Sequence, residues 1–321
     1  IGLFGLENFN NAPFPNPAAA DKWVAKVGAK GLAIRYDESV SGRFISRLAF
    51  NDYLKTEPAD GVSDGGVEIE AAGAFCLQRP QNVTGPFVLT DGRIDITKTQ
   101  VDSCGVGDSL CGAGDLVFNG AWLGVQSLGA DTSVRLAPGA GAKAVVRAAS
   151  RLDLDPFAGS DWSVRGTALD IVFGSDDAAE SSFSGEGGGV LYVCSKKGAT
   201  DGSNKTKVLV KGGVDVRADG TPKVPVVMVK GFGEANFAQY DGTLGFVNYT
   251  DYATDLAAGA DKVVCLASGV SAPAGTTTVS GLLLKPASSS AMVTIPSGST
   301  LKVGNGTDPA LVVTAPAASS D

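Results

Sequence analysis

Residues 244–314 constrain the fold more than any other stretch of this chain. They form a train of short apolar, β-branched runs (KVVCLA, TTTVSGLLLK, AMVTI, STLKV, ALVVT) separated by Gly, Pro, Ser and Asn-Gly breaks. No run is long enough for an ordinary helix, and each is bounded by residues that end strands or make turns. The pattern predicts a stack of short strands rather than a fold organised around one catalytic pocket.

The pattern extends backwards through the chain. From about residue 31 strand-like runs recur, among them GLAIRY, RFISRLAF, GVEIEA, GPFVLT, GRIDITK, DLVFNG, GVLYVCS and VPVVMVK. Asp-Gly or Asn-Gly pairs punctuate them at 60, 64, 91, 119, 201, 219, 241 and 305. Gly tolerates positive φ, and Asn and Asp bond to nearby backbone, so these pairs turn the chain. Those at 201, 219 and 241 are spaced by about one rung of a β-solenoid.

Two all-β architectures satisfy this pattern. In a parallel β-solenoid each rung pairs with its neighbours, with Val, Ile, Leu and Ala inside and Gly, Asn, Asp and Ser at the corners. The alternative is two stacked antiparallel β-sandwich domains, split near residues 155–185. Residues 1–17 are an aromatic, Pro- and Asn-rich lead-in. Residues 18–29 (AAADKWVAKVGA) have helical composition, with Trp23, Val24 and Val27 on one side, which predicts a short N-terminal cap helix. The expected organisation is therefore a lead-in and cap over 1–30, a solenoid over 31–314 and a linker-like tail over 315–321.

At 321 residues the chain buries roughly three quarters of its unfolded surface and needs no metal or dense disulfide framework to hold a core. A net charge of −8 argues against nucleic acid or an anionic membrane as partner. The basic residues Lys196, Lys197, Lys205, Lys207 and Lys211 lie in a polar stretch and read as a solvated loop. No apolar stretch approaches the roughly 20 residues of a spanning helix. The chain begins at Ile1 rather than Met, which suggests that an upstream segment has been removed.

The chain contains no His, which removes Ser-His-Asp and Cys-His hydrolysis, His-ligated metals and histidine base chemistry together. It has 5 Cys, so at least one has no partner within the chain. Cys104 and Cys111 flank a glycine-rich loop that a disulfide can close. Cys76, Cys194 and Cys265 lie in apolar runs and read as buried structural thiols. No cofactor is expected. Calcium is the one metal the carboxylates suggest, at Asp102, Asp108 and Asp115 or at Asp176, Asp177 and Glu180, and neither group matches a helix-loop-helix site. The Gly-rich segment at 185–190 lacks a phosphate-binding ending. Asn-x-Thr sequons at Asn82, Asn204, Asn248 and Asn305 suit exposed turns of an exported protein.

The order of an aromatic segment, a YATDLAAGADKV turn, a TTVSGLLL strand and an SGSTLKVGNG ending resembles the passenger repeats of autotransporter-like surface proteins, including the planctomycete-type autotransporter-associated repeat proteins. The resemblance covers residues 244–306 and implies a right-handed parallel β-helix exposed outside the cell. Cys265 within a strand departs from the family pattern.

These features favour an extracellular structural or adhesive surface protein. Its partners would be further copies of itself or cell-surface and matrix components. A self-assembling filament subunit is the sharper form of this expectation, with the apolar Ile1, Leu3, Phe4, Leu6 and Phe9 covering an open strand edge of the same or the next copy. Two other classes remain open. One is a carbohydrate-active, polysaccharide lyase-like β-helix enzyme with Asp91, Arg93 and Asp95 as its nucleus. The other is a glycan-binding module that uses Trp122 and Trp162.

Overall fold

The computed structural model describes residues 24–27, 32–36, 48–50, 55–58, 65–71, 74–77, 81–97, 110–112, 114–126, 132–154, 169–195, 206–230, 234–257, 262–286, 293–304, 306 and 310–314. Their regular structure is entirely β, and it repeats in triplets. The chain runs through Val24–Val27, Leu32–Tyr36 and Leu48–Phe50 (β1–β3), then Lys55–Pro58, Val67–Ala71 and Ala74–Leu77 (β4–β6). Next come Gln81–Val83, Phe87–Thr90 and Arg93–Thr97 (β7–β9), and Leu110–Gly112, Leu116–Asn119 and Trp122–Gln126 (β10–β12). Thr132–Leu136, Ala144–Val146 and Ser150–Leu154 (β13–β15) follow, then Leu169–Phe173, Phe183–Gly185 and Leu191–Ser195 (β16–β18).

Through these six triplets each strand pairs in parallel with the third strand after it. Thr206–Val210 (β19) and Val226–Lys230 (β20) continue two of the three resulting sheets, and Glu234–Asp241 (β21) and Gly245–Asn248 (β22) then reverse direction. The first sheet holds β1, β4, β7, β10, β13, β16 and β19. The second runs from β2 to β17, and the third from β3 through β20 to β22.

Strand alternation explains what each sheet buries. In the second sheet Val67, Phe87, Leu116, Ala144 and Phe183 align in one column, and Ile69, Leu89, Phe118 and Val146 in the next. The third sheet contributes Ile94, Leu123, Leu152, Val193 and Met228 in register, and the first contributes Leu136, Phe173 and Val210. All of these belong to one buried cluster. Each large aliphatic side chain so buried contributes about 1.5–3 kcal/mol. The corners between columns need tight turns, and Asp91-Gly92 supplies one with φ of 47° and 60°. Gly66 is required for space as well: a Cβ there would meet the Pro86 carbonyl oxygen at 1.9 Å.

A second, smaller stack follows. Val263–Leu266, Val270–Ser271 and Thr276–Val279 (β23–β25) are followed by Gly281–Leu284, Val293–Thr294 and Thr300–Val303 (β26–β28), and then by Val312–Thr314 (β29). Triplet pairing is again parallel: β23 with β26 and β29, β24 with β27, β25 with β28.

Two expectations need correction. Within the segment expected to be a cap helix, Val24–Val27 is a strand paired in parallel with Lys55–Pro58. In VAKV the helical composition of the flanking residues gave way to two β-branched residues beside an available strand edge. The rest of 18–29 lies outside the described residues. The antiparallel sandwich alternative is also excluded, because named strands pair antiparallel only at β20–β21 and β21–β22 among the described residues. No described helix is long and apolar enough to cross a membrane.

Candidate functional site

Among the described residues, the outer face of the third sheet brings together a set of interacting polar and aromatic groups. Because β9, β12, β15, β18 and β20 are in register, Arg93, Trp122, Arg151, Tyr192 and Val227 form one outward column. The Arg93 guanidinium lies 4.8 Å from the centre of the Trp122 ring and that of Arg151 lies 4.1 Å from it. Both neighbouring strands thus supply a cation to the same indole, an arrangement worth about 0.5–1 kcal/mol per contact at exposed sites. Two residues along, Gly124, Asp153, Cys194 and Val229 form the next column. Arg151 Nε meets Asp153 Oδ1 at 2.5 Å, and Asp153 is buried.

Cys194 lies beside Asp153, and burial pushes its thiol up to about 12; the Asp153 charge adds to the rise, and Arg151 opposes it. Burial thus favours the neutral thiol over the thiolate. Burial also raises the Cys265 thiol. Cys194 is buried as expected, whereas Cys265 is only partly buried. The side chain of Cys76 is outside the described residues, and so is Cys104, so the Cys104–Cys111 disulfide is not addressed; Cys111 lies in β10.

Further along the same face the column turns apolar, and the second stack covers it. Val227 and Phe237 pack with Tyr249, Val263, Leu283 and Val313, and Tyr192 and Cys265 border this cluster. The sheet formed by β23, β26 and β29 therefore has two buried faces. Val263 and Leu283 face the first stack, while Val264, Leu266 and Leu282 fill the second stack's own core. The join is also polar at its edge. The Tyr252 hydroxyl accepts the Phe237 N–H at 3.0 Å, and the Ser280 hydroxyl donates to Asp219 Oδ2 at 2.5 Å. Burial raises both Tyr249, to about 12, and Tyr252.

The β19–β22 end of the first stack is capped over its core. On the third sheet β21 and β22 fold back as an antiparallel hairpin, which places Phe246 over the core. A line of rings runs inward from it: Phe246 to Phe183 at 5.4 Å, Phe183 to Phe173 at 6.0 Å and Phe173 to Phe118 at 6.1 Å. On the first sheet β22 lies along β19, close enough that a Cβ on Gly245 would meet the Val208 carbonyl oxygen at 2.2 Å. There the Tyr240 hydroxyl accepts the Val210 N–H at 2.8 Å and donates to the Val210 carbonyl at 3.0 Å. On the second sheet Val224, from the segment that links β19 to β20, packs against the core next to β17.

The remaining sequence candidates are dispersed. Asp91 is exposed in its corner turn, Arg93 is engaged with Trp122, and the side chain of Asp95 is not described. Trp162 lies outside the described residues. Asp176 accepts two bonds from Arg135, at 2.6 and 3.0 Å, and lies 2.6 Å from Lys211 Nζ. These partners, Arg135 first, lower its carboxyl to about 2. Asp177 and Glu180 line a separate cavity of about 330 Å3 with Lys143. Asp115 Oδ1 accepts the Lys143 N–H at 2.8 Å. Among the described residues no three His, Cys, Asp or Glu side chains gather as a metal site, and Asp102 and Asp108 lie outside them.

Of the sequons, Asn82 sits in β7 between Lys55 and Cys111 in the sheet register, and Asn248 ends β22 with a buried Oδ1 that has no hydrogen-bond partner. Asn204 and Asn305 lie outside the described residues, as do Ile1, Leu3, Phe4, Leu6 and Phe9. No protein family, curated protein or solved structure matches the chain.

Proposed function

We propose that the chain is an extracellular structural or adhesive surface protein built on a right-handed parallel β-helix, with a second short coil docked against its side. The observation that carries this reading is the triplet pairing itself. Strands that pair three apart, over six successive triplets and again in the second stack, build length and outer surface rather than a single concave pocket. The partners are surface or matrix components or further copies of the chain. At the β19–β22 end of the first stack Phe246 caps the core and Tyr240 covers the β19 edge, which favours filament growth through other contacts.

The Arg93–Trp122–Arg151 stack bears on the glycan-binding alternative. The Trp122 indole is already engaged by two guanidinium groups, 4.8 and 4.1 Å from its centre, which competes with a sugar for the ring, so Trp122 does not favour that reading. The test sets retention against turnover: purified protein is incubated with bacterial envelopes and immobilised polysaccharides, released sugars are followed by chromatography, and particles are imaged by negative stain. Retention or polymers without sugar release is expected. Released oligosaccharides, or single unbound particles on every surface, would contradict the proposal.

A further inference from the structure

A parallel sheet that stops leaves a row of backbone groups aimed at empty space, and such an edge templates the pairing of another strand. The hydrogen-bond pattern shows which groups these are. On β17 the Ser182 carbonyl accepts from Ala144 and the Glu186 N–H donates to Val146, so the Ser182 carbonyl, Ser184 and the Glu186 N–H face β14. Phe183 and Gly185 therefore turn their N–H and C=O to the free edge. On β19 the Lys211 N–H donates to Phe173, so Val210 faces the free edge in the same way.

At both edges one hydroxyl serves both groups of one residue. Ser181 Oγ donates to the Phe183 carbonyl at 3.0 Å and accepts the Phe183 N–H at 3.2 Å. The Tyr240 hydroxyl does the same for Val210. The two edges differ in access. β22 shields β19, whereas β17 ends its sheet and borders a cavity of about 300 Å3. Val214, Asp215, Lys223 and Val224 line the far side of that cavity.

We propose that Ser181 and Tyr240 are edge guards: their hydroxyls occupy the free-edge N–H and C=O of Phe183 and Val210, and so keep a second copy of this chain from adding a strand at this end of the stack. A second copy is the relevant intruder because its own short apolar strands are present wherever the protein is concentrated. Ser181 is the more consequential guard, since its edge borders a cavity while β22 covers the other.

The test uses the full chain with Ser181→Ala, and with Ser181→Thr to keep the hydroxyl. In sedimentation velocity across a concentration series, Ser181→Ala is expected to gain a concentration-dependent association beyond any that the wild type or Ser181→Thr shows. Ser181→Ala sedimenting as the wild type does at every concentration would overturn the proposal. So would Ser181→Ala unfolding outright while Ser181→Thr folds, since the hydroxyl would then hold the fold rather than guard its edge. For Tyr240→Phe, the Val210 amide is expected to exchange at least about tenfold faster while those of Val134 and Ile171 are unchanged; an unchanged Val210 amide would contradict its role as a guard.

Discussion

The two stacks use one strand rule and reach stability differently. The first encloses a wide core of aliphatic columns crossed by a line of aromatic rings, and ends in a built closure. The second has a small core of its own, including Leu256, Val264, Leu266, Ala272, Val279 and Leu282, and commits the other face of its principal sheet to the first stack. A core that small is marginal alone, because little of the chain's surface is removed from water. The second stack is therefore expected to need the surface on which it sits in order to stay folded.

The largest expected effect breaks that dependence. Val227 is fully buried between the stacks, so Val227→Asp places an unpaired charge there and should cost more than about 3 kcal/mol. Limited proteolysis should then cut within 263–314 first and leave the first stack intact. Next in size is Phe246→Ala, which opens a cavity under the closure and removes a ring contact; a loss of about 3–5 kcal/mol in chemical denaturation is expected. That loss should fall on the first stack and, because the second depends on it, on both together. Two separate transitions with an unaltered second stack would break the comparison.

The smallest effect lies on the exposed ladder of Arg135, Asp176 and Lys211. The Asp176 carboxyl titrates at about 2 against an ordinary 3.8, so its contribution is fully present above 3.8 and fades as pH falls through about 2. The difference in Tm between the wild type and Asp176→Asn should therefore be constant near neutrality and vanish in acid. It should be small throughout, since the group is exposed.

Much of this was legible in the chain. The runs KVVCLA, GLLL and VPVVMVK are apolar at successive positions, which marks strands buried on both faces. Those strands are the ones that meet at the join: Val263 and Val264, Leu282 and Leu283, Val226 and Val227. The Asp-Gly and Asn-Gly pairs marked real corners at 91 and 119. What the chain concealed depends on partners far away in sequence. Tyr240 meets Val210 from 30 residues along, and nothing local distinguishes it from any other half-buried tyrosine. The Arg–Trp–Arg column arises only once Arg93, Trp122 and Arg151 fall into register. VAKV misled because its neighbours favour a helix, while the edge of Lys55–Pro58 that decides its state is remote.

Amide hydrogen exchange on the wild type and Val227→Asp reads the dependence of the second stack on the first residue by residue. Val263–Leu266 and Gly281–Leu284 should lose most of their protection in the variant, while Trp122–Gln126 and Ser150–Leu154 keep theirs. Undiminished protection across 263–284 would show that the second stack stands on its own core and that its dependence on the first is wrong.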